Sequence, residues 1–225
     1  MPELLSPELA ACRLCPRLVA WREEVGRVKR KAFQDEDYWA KPVPGFGDLQ
    51  ARILLLGLAP SAHGSNRTGR MFTGDASGNF LFPALYRTGF ASQAEAIHRE
   101  DGLTLCDMFI TAVGRCVPPG NKPARGELNN CRTWLHEDLQ QLGKLKLIIA
   151  LGSIAHDGYL DYLKAQGHPL VKKHYPFAHG NLHHIAGGLP MLDAYHVSFQ
   201  NTNTGKLSET MFDALLEQAK AFISS

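Results

Sequence analysis

Four cysteines offer the most distinctive chemistry in this sequence. Cys12 and Cys15 form a C-x2-C pair, and Cys116 and Cys131 form a second, wider pair. Four thiolates can hold either a zinc ion or an iron–sulfur cluster. Because 100 residues separate Cys15 from Cys116, a shared metal would close a long loop and remove chain entropy from the unfolded state. Four unconnected free thiols are the alternative that the spacing leaves open.

A glycine-rich segment after the first strongly apolar run is a second candidate site. It reads GLAPSAHGSNRTGRMFTGDASGNF and has almost no bulky side chain before Phe72. Such a segment allows backbone N–H groups to approach a planar ligand or a phosphate closely. Phe72 and Asp75 stand among small residues, which places an aromatic platform beside a single carboxylate. A flexible surface loop is the alternative interpretation.

Histidines and a fifth cysteine are the remaining reactive groups. His179, His183 and His184 in HGNLHH could bind a metal, but no carboxylate accompanies them at useful spacing, which favours a solvated loop. His196 follows a predicted strand and precedes a polar loop, a position that suits either catalysis or a buried core histidine. Cys106 lies in the apolar stretch LTLCDMFI, which predicts a buried thiol that behaves as a small hydrophobe.

Length and composition restrict the class of protein. The chain has 225 residues, 44% hydrophobic and 20% charged, which excludes a disordered chain, a collagen and a coiled coil. We predict a single domain over 1–225, with 1–47 as a helical N-terminal lobe. The apolar runs at 53–58 and 145–151 are far shorter than the ~20 residues that span a bilayer, and no secretory signal is visible, so we expect a cytoplasmic protein without a membrane partner.

Charge and motif content narrow the functional classes further. The formal charge of +2 does not by itself indicate a nucleic-acid partner, although 27–31 is strongly basic and Arg115, Lys122 and Arg125 share one Pro/Gly-rich stretch. Neither a Walker loop nor a G-x-G-x-x-G motif is present, which argues against a P-loop enzyme and a dinucleotide oxidoreductase. An odd number of cysteines without a signal argues against a disulfide framework.

Alternating apolar runs and helical patterns must position these groups. They predict an α/β fold, a three-layer sandwich whose central, mainly parallel four-stranded sheet is flanked by helices. Ligands of such sheets lie beyond the carboxyl ends of the strands, where the loops 58–78, 114–126 and 199–205 are rich in Gly, Pro, Asn and Ser. The predicted strands are 52–57, 107–113, 145–152 and 194–199, and the predicted helices are 79–86, 127–143, 153–165 (with Ser153 as N-cap) and 207–223.

Three separated motifs together resemble the family 5 uracil-DNA glycosylases. They are GLAPSAHG at 57–64, the cysteine spacing, and HVSFQNTNTG at 196–205, and the resemblance runs from Cys12 to the last helix. The cluster-bearing family 4 enzymes are the nearest relatives of that family. The resemblance implies a DNA glycosylase of base excision repair, which flips a base out of double-stranded or single-stranded DNA and hydrolyses its N-glycosidic bond to leave an abasic site.

The resemblance also implies roles for individual residues. The four cysteines match the ligands of a [4Fe-4S] cluster, and Phe72 matches the aromatic residue that stacks on the extruded base. His196 opens a motif that reaches the base O2 and stabilises the leaving anion, and 197–204 match a loop that enters the minor groove. The implied base pocket is Gly57, Ala59, Phe72 and Ala112, and the implied DNA-binding loop includes Ser198, Asn201, Thr202 and Asn203. The basic stretch 27–31 and the basic residues Arg115, Lys122 and Arg125 would then contact phosphates.

Two departures from family 4 bear on mechanism. Ala59 stands where those relatives carry the water-activating carboxylate, and Ala112 stands where they carry the Asn that reads uracil. The resemblance to family 5 implies that both gaps accompany a broader use of deaminated bases, hypoxanthine and xanthine among them. Asp75, the remaining carboxylate of the first loop, is then the candidate catalytic carboxylate beside His196, where it would stabilise the sugar cation or orient a water. Its alternative role is to cap a helix that begins near Ser77.

Two other classes of function stay open at this point. A non-catalytic iron–sulfur or zinc protein could bind damaged DNA without turnover. A hydrolase of free nucleosides would cleave inosine or deoxyuridine without any polymer. The basic stretches and the NTNTG loop favour the glycosylase, which we expect to act as a monomer.

Overall fold

A six-stranded sheet forms the centre of the computed structural model, which describes residues 2–224. The predicted domain over 1–225 includes Met1 and Ser225, which lie outside the described residues. The spatial order of the strands is β1-β3-β2-β4-β6-β5. In chain order they are β1 (Phe46–Gly47), β2 (Ile53–Gly57), β3 (Met108–Ala112), β4 (Leu147–Leu151), β5 (Leu182–His183) and β6 (Met191–Ala194).

The four central strands are parallel, as predicted, but the strand count was wrong. β1 and β5 add short antiparallel edges, and two residues are too few to give a periodic pattern. The fourth predicted strand, 194–199, was also misplaced, because β6 ends at Ala194. The buried Asp193 interrupts the apolar run of β6, so the hydrophobicity pattern did not predict a strand at these residues.

Eight helices are described: α1 (Pro7–Ala10), α2 (Pro16–Val28), α3 (Ser65–Thr68), α4 (Ala76–Arg87), α5 (Arg125–Gln141), α6 (Ser153–Ala165), α7 (Phe199–Asn203) and α8 (Glu209–Ser224). Several of them differ from expectation. α6 begins after Gly152, so Ser153 is not its N-cap, and α4 begins three residues earlier than predicted. Two short helices occupy predicted loops: α3 lies within 58–78, and α7 lies within 199–205, where the Ser198 hydroxyl caps it.

Alternate side chains of the central strands divide the core into two halves. Ile53 and Leu55 of β2 belong to the half that packs under α4 and α8, whereas Leu54 and Leu56 belong to the half under α5 and α6. All four side chains are fully buried, because parallel strands covered by helices on both faces have no solvent side. The three-layer α/β sandwich is therefore confirmed.

Ion pairs attach the N-terminal segment to the sheet layers. Arg17 of α2 donates from Nε and Nη2 to the two carboxylate oxygens of Glu127 on α5, at 2.8 and 2.7 Å. The same Nη2 donates to the carbonyl of Lys122 at 3.1 Å. A bidentate pair of this kind fixes orientation as well as distance.

None of the helices within residues 2–224 is both long and apolar enough to cross a membrane.

Candidate active site and cysteine cavity

An open pocket of about 510 Å³ lies at the carboxyl ends of β2 and β3. This is where ligands bind in parallel α/β sheets, and the volume is in the range of small-molecule sites. The structure brings together seven residues that the sequence predicted for the site. They are Gly57, Ala59, Phe72, Asp75, Ala112, His196 and Ser198.

Phe72 is held in the pocket by a strained backbone and a close glycine. Its φ of 55° lies in the left-handed region, which a bulky side chain rarely adopts, and its N–H donates to Ser65 Oγ at 3.0 Å. Its ring lies against Gly57, where an added Cβ would come within 2.9 Å of Phe72 Cζ. Strain of this kind persists where the surroundings fix the conformation, and here it aims an aromatic ring into the pocket.

Asp75 caps α4 and lines the pocket at the same time. Its Oδ1 accepts from the N–H groups of Ser77 and Gly78, both at 3.0 Å, and its Oδ2 accepts from the hydroxyl of Ser61. The capping role is therefore confirmed. Because three donors orient the carboxylate toward the pocket, the cap does not exclude a second role toward a ligand.

His196, two residues after the end of β6, lines the same pocket. Burial lowers the pKa of His196 below its usual value, and the nearby Asp75 carboxylate partly counteracts that shift. The imidazole is thus neutral at pH 7. Its ring centroid lies 6.5 Å from that of Phe72, with the planes tilted by 42°. An aromatic face, a carboxylate and an imidazole converge on one cavity.

The segment after His196 is an ordered rim and not a free loop. Asn201 Nδ2 donates to the carbonyl of His196 at 2.8 Å, and Thr202 Oγ1 donates to the carbonyl of Ser198 at 3.2 Å. Asn203 is exposed at the end of α7. Phe199, which the sequence analysis did not single out, also lines the pocket and is 64% exposed.

Three further polar side chains of the pocket were missed from the sequence. Ser61 and Ser65 belong to the first loop: the Ser61 hydroxyl donates to Asp75, and the Ser65 hydroxyl accepts from the Phe72 N–H. Asn121 lines the pocket from the second loop with a φ of 57°. Asn tolerates the left-handed region, so its place in the turn PPGN was the available signal.

One predicted DNA-binding residue is corrected by the structure. Arg115 is only 1% exposed, and its Nη2 donates to Asp138 and to the carbonyl of Trp134, so it is not available to a phosphate. Lys122 on the same loop and Arg125 at the start of α5 are exposed, and both are close in sequence to Asn121. In the basic stretch 27–31, Arg27 is exposed but paired with Glu24.

The four cysteines line one narrow cavity between α2, α5 and the loop after β3. Cys12 and Cys15 are half-buried, whereas Cys116 and Cys131 are buried. Burial raises the pKa of Cys116, and it raises the pKa of Cys131 to about 12. The fifth cysteine was predicted to be buried, and this was wrong, because Cys106 is exposed.

The donor set of this cavity fits a multinuclear cluster better than a single ion. Thiolate is the ligand that iron–sulfur clusters require, and four thiols line the one cavity. Among residues 2–224, the group that converges closely enough for a single metal ion is His156, His183 and Asp193, with ligand atoms within 4.8 Å, and it contains no cysteine. A cluster of several irons spans a wider gap than a tetrahedral zinc does.

That histidine–aspartate group is a saturated hydrogen-bond network. Asp193 accepts from His156 Nδ1 at 2.7 Å and from His183 Nε2 at 2.9 Å, while His156 Nε2 lies 2.9 Å from the carbonyl of Tyr175. The carboxylate of this group was not predictable from the HGNLHH segment, because Asp193 meets His183 only through the pairing of β5 with β6. The network joins these strands to α6 and lies outside the pocket.

Comparison with known proteins agrees with this geometry. The sequence profile of the uracil DNA glycosylase superfamily matches residues 44–220. The chain is 52% identical over 212 residues to the type-5 uracil-DNA glycosylase of Thermus thermophilus, covering 94% of each chain. It is 45% identical over 217 residues to that of Mycobacterium bovis, covering 96% of this chain and 80% of the relative.

A third relative shows a similar degree of coverage. The type-5 uracil-DNA glycosylase of Pyrobaculum aerophilum is 39% identical over 213 residues, covering 95% of this chain and 89% of the relative. The resemblance read from the three sequence motifs is thereby confirmed. The chain belongs to the uracil-DNA glycosylase superfamily and, within it, to the type-5 uracil-DNA glycosylases.

Proposed function

We propose that the protein excises uracil, and also hypoxanthine and xanthine, from DNA by hydrolysis of the N-glycosidic bond. The observation that carries the proposal is the convergence of Phe72, Asp75 and His196 on one pocket at the carboxyl ends of β2 and β3. Family membership supports uracil as the base, and the chemistry of the pocket walls supports the two purines.

A base must leave the helix to enter this pocket. Extrusion costs a few kcal/mol and is easiest for a mispaired base, which favours deaminated bases over normal ones. Stacking of the base on the Phe72 ring contributes about 1–3 kcal/mol of favourable binding free energy. Stacking does not depend on hydrogen-bond pattern, so Phe72 accepts a pyrimidine or a purine.

His196 stabilises the negative charge that develops on the leaving base. Since its imidazole is neutral at pH 7, one ring nitrogen carries a proton that can be donated to a base oxygen. A preorganised donor in a site with little water is worth far more than the same donor in solvent. Uracil, hypoxanthine and xanthine all present carbonyl oxygens to such a donor.

Asp75 acts on the sugar side of the bond. Cleavage passes through an oxocarbenium-like state with positive charge on the sugar, and a fixed carboxylate either stabilises that charge or orients the attacking water. The donors from Ser61, Ser77 and Gly78 keep the carboxylate in one orientation. A positioned group of this kind contributes typically 10²–10⁴-fold in rate.

Two alanines support broad base use. Ala59 and Ala112 line the pocket with methyl groups, so neither donates or accepts a hydrogen bond that would select one base edge. A pocket that reads its ligand through a hydrogen bond rejects analogues strongly, whereas apolar walls discriminate weakly.

Duplex DNA is the proposed substrate, bound by a monomer. Lys122 and Arg125 are exposed and close in sequence to the pocket-lining Asn121, and they would contact phosphates. The rim helix α7 supplies Ser198, Asn201, Thr202 and Asn203 near the same opening. Phosphate contacts of this kind position the duplex without reading sequence.

The four cysteines are proposed to hold a [4Fe-4S] cluster. Cys12, Cys15, Cys116 and Cys131 would bind it, and the cluster would tie the N-terminal lobe, 1–47, to the loop after β3. Glycosidic hydrolysis transfers no electrons, so this group stabilises structure and has no part in the chemical step.

Purified protein should be incubated with duplexes and single strands that hold one uracil, hypoxanthine or xanthine. We expect abasic sites at all three bases, and none with an undamaged control. Duplex binding without abasic sites would favour a damage-binding protein. Release of base from free deoxyuridine or inosine at the same rate would favour a nucleoside hydrolase.

A further inference from the structure

Unpaired buried donors cluster at the cysteine cavity. Within residues 2–224, four buried side-chain nitrogen or oxygen atoms lack a hydrogen-bond partner. Three of them are Arg22 Nε, Arg115 Nε and Arg115 Nη1, and both arginines line the cysteine cavity. Since buried polar groups are nearly always paired, several orphaned donors around one gap indicate an acceptor that belongs there.

The two arginines differ in charge compensation. Arg115 is neutralised by the buried carboxylate of Asp138. Arg22 is 2% exposed, and no carboxylate in the described part of the chain lies within 4.0 Å of it. Its Nη1 donates to Cys116 Sγ and its Nη2 to the carbonyl of Cys12, both at 3.0 Å. An unpaired buried cation is expensive, so the cavity requires negative charge next to Arg22.

We propose that Arg22 is the counter-charge and outer-sphere positioning residue of the metal cluster, a role that rests on the cluster proposed above. Four thiolates give the ligand set a net negative charge that one buried guanidinium offsets. The hydrogen bond that Arg22 Nη1 donates to Cys116 Sγ orients this thiolate ligand and lowers the electron density on its sulfur. Hydrogen bonds to ligand sulfurs and nearby charge set both the stability and the reduction potential of such clusters.

Three variants separate this role from a general effect of charge near the cavity. Arg22→Gln removes the cation, and Arg22→Lys keeps the cation but loses the fork of donors. Arg13→Gln is the matched control, because Arg13 lies next to Cys12 but is exposed and pairs with Glu23. Each protein is purified without oxygen and assayed for iron, acid-labile sulfide, the rate of cluster bleaching in air, and the reduction potential.

We expect Arg22→Gln to lose its cluster about 10–100-fold faster than the parent, and Arg22→Lys to fall between them. The potential of Arg22→Gln should be lower, because removal of a cation disfavours the more negative, reduced state. Arg13→Gln should match the parent. If Arg22→Gln does not fold, Arg22→Lys decides through the same rate.

Two negative results have different meanings. A parent protein with iron whose bleaching rate and potential are unchanged in both Arg22 variants would overturn the role of Arg22 and leave the cluster standing. A parent protein without iron or sulfide would overturn the cluster itself.

Discussion

The open pocket and the cysteine cavity differ in whether their polar groups already have hydrogen-bond partners. In the open pocket, Asp75 already accepts three hydrogen bonds from Ser61, Ser77 and Gly78. In the closed cavity, Arg22 keeps a donor without a partner. A site whose polar groups are all hydrogen-bonded within the protein suits a ligand that binds reversibly. A site with buried donors that lack an acceptor suits a permanently bound group that is part of the fold.

The two regions are nevertheless parts of one structure. The loop after β3 turns Cys116 into the cavity, while Pro118 and Asn121 of the same loop line the pocket. The carbonyl of Arg22 also accepts from Asn66 Nδ2 at 3.2 Å, and Asn66 belongs to the first pocket loop. A group bound in the cavity would therefore also stabilise the two loops that line the pocket.

The largest effect is expected from removal of a ligand of the proposed [4Fe-4S] cluster. Cys116→Ser and Cys131→Ser should reduce iron from about four per chain to almost none, because each removes one cluster ligand. Exposed Cys106→Ser is the matched control and should leave iron unchanged. Iron analysis and visible absorption measure both. A colourless parent protein that holds one zinc would contradict the cluster.

An intermediate effect is expected from the aromatic wall of the pocket. Phe72→Ala should lower kcat/KM for a uracil duplex by about 5–150-fold, the equivalent of a lost stacking contact of about 1–3 kcal/mol. Phe72→Tyr keeps the ring and should stay near the parent. Excision is measured at duplex concentrations below saturation. Equal losses in both variants would mean that the strained backbone at this position, and not the stacking, matters.

A smaller effect is expected from charges at the pocket opening. Binding to duplex DNA should weaken with salt, and each lost phosphate contact changes the log–log slope by about 0.9. The Lys122→Ala/Arg125→Ala double variant should therefore flatten the slope by about 1.8. Lys172→Ala is the control, because Lys172 pairs with two aspartates. A slope that stays unchanged in the double variant would place the DNA on another surface.

The smallest effect is a pH dependence of stability. Burial lowers the pKa of His196 in the folded state, so the unfolded chain binds its proton first as the pH falls. The free energy of unfolding should then decrease below about pH 6.5, by up to about 1.4 kcal/mol per pH unit for one such group. His196→Gln should flatten this decrease in urea unfolding between pH 7.5 and 5.5. An identical slope in the variant would show that His196 is solvated.

The pocket and the cavity also differ in how much of their structure could be predicted from the sequence. The pocket was predictable because glycine-rich loops follow apolar strands, and this pattern placed Phe72 and Asp75 correctly. The burial of Arg115 was not predictable, because its partner Asp138 lies 23 residues away on α5 and is brought close only by the fold. The edge strands β1 and β5 were not predicted for a different reason, because a strand of two residues is too short to give a periodic hydrophobicity pattern.

The arginine of the cavity shows the same limit. Arg22 looks like one more charged residue of an amphipathic helix, with Glu23 and Glu24 beside it in the sequence. Only the packing of α2 against the loop after β3 turns its guanidinium onto Cys116. Local patterns therefore locate strands and loops, whereas the pairing of buried charges is a tertiary property.

The catalytic role of Asp75 is tested most directly by single-turnover excision of uracil from a saturating duplex. Asp75→Asn keeps the Oδ1 acceptor for the cap, and Ser77→Ala serves as a control that leaves the carboxylate in place. We expect Asp75→Asn to slow excision by about 10²–10⁴-fold while the duplex Kd and the melting temperature change little. Excision by Asp75→Asn within a few-fold of the parent would contradict this role and leave the reaction to His196 and backbone donors.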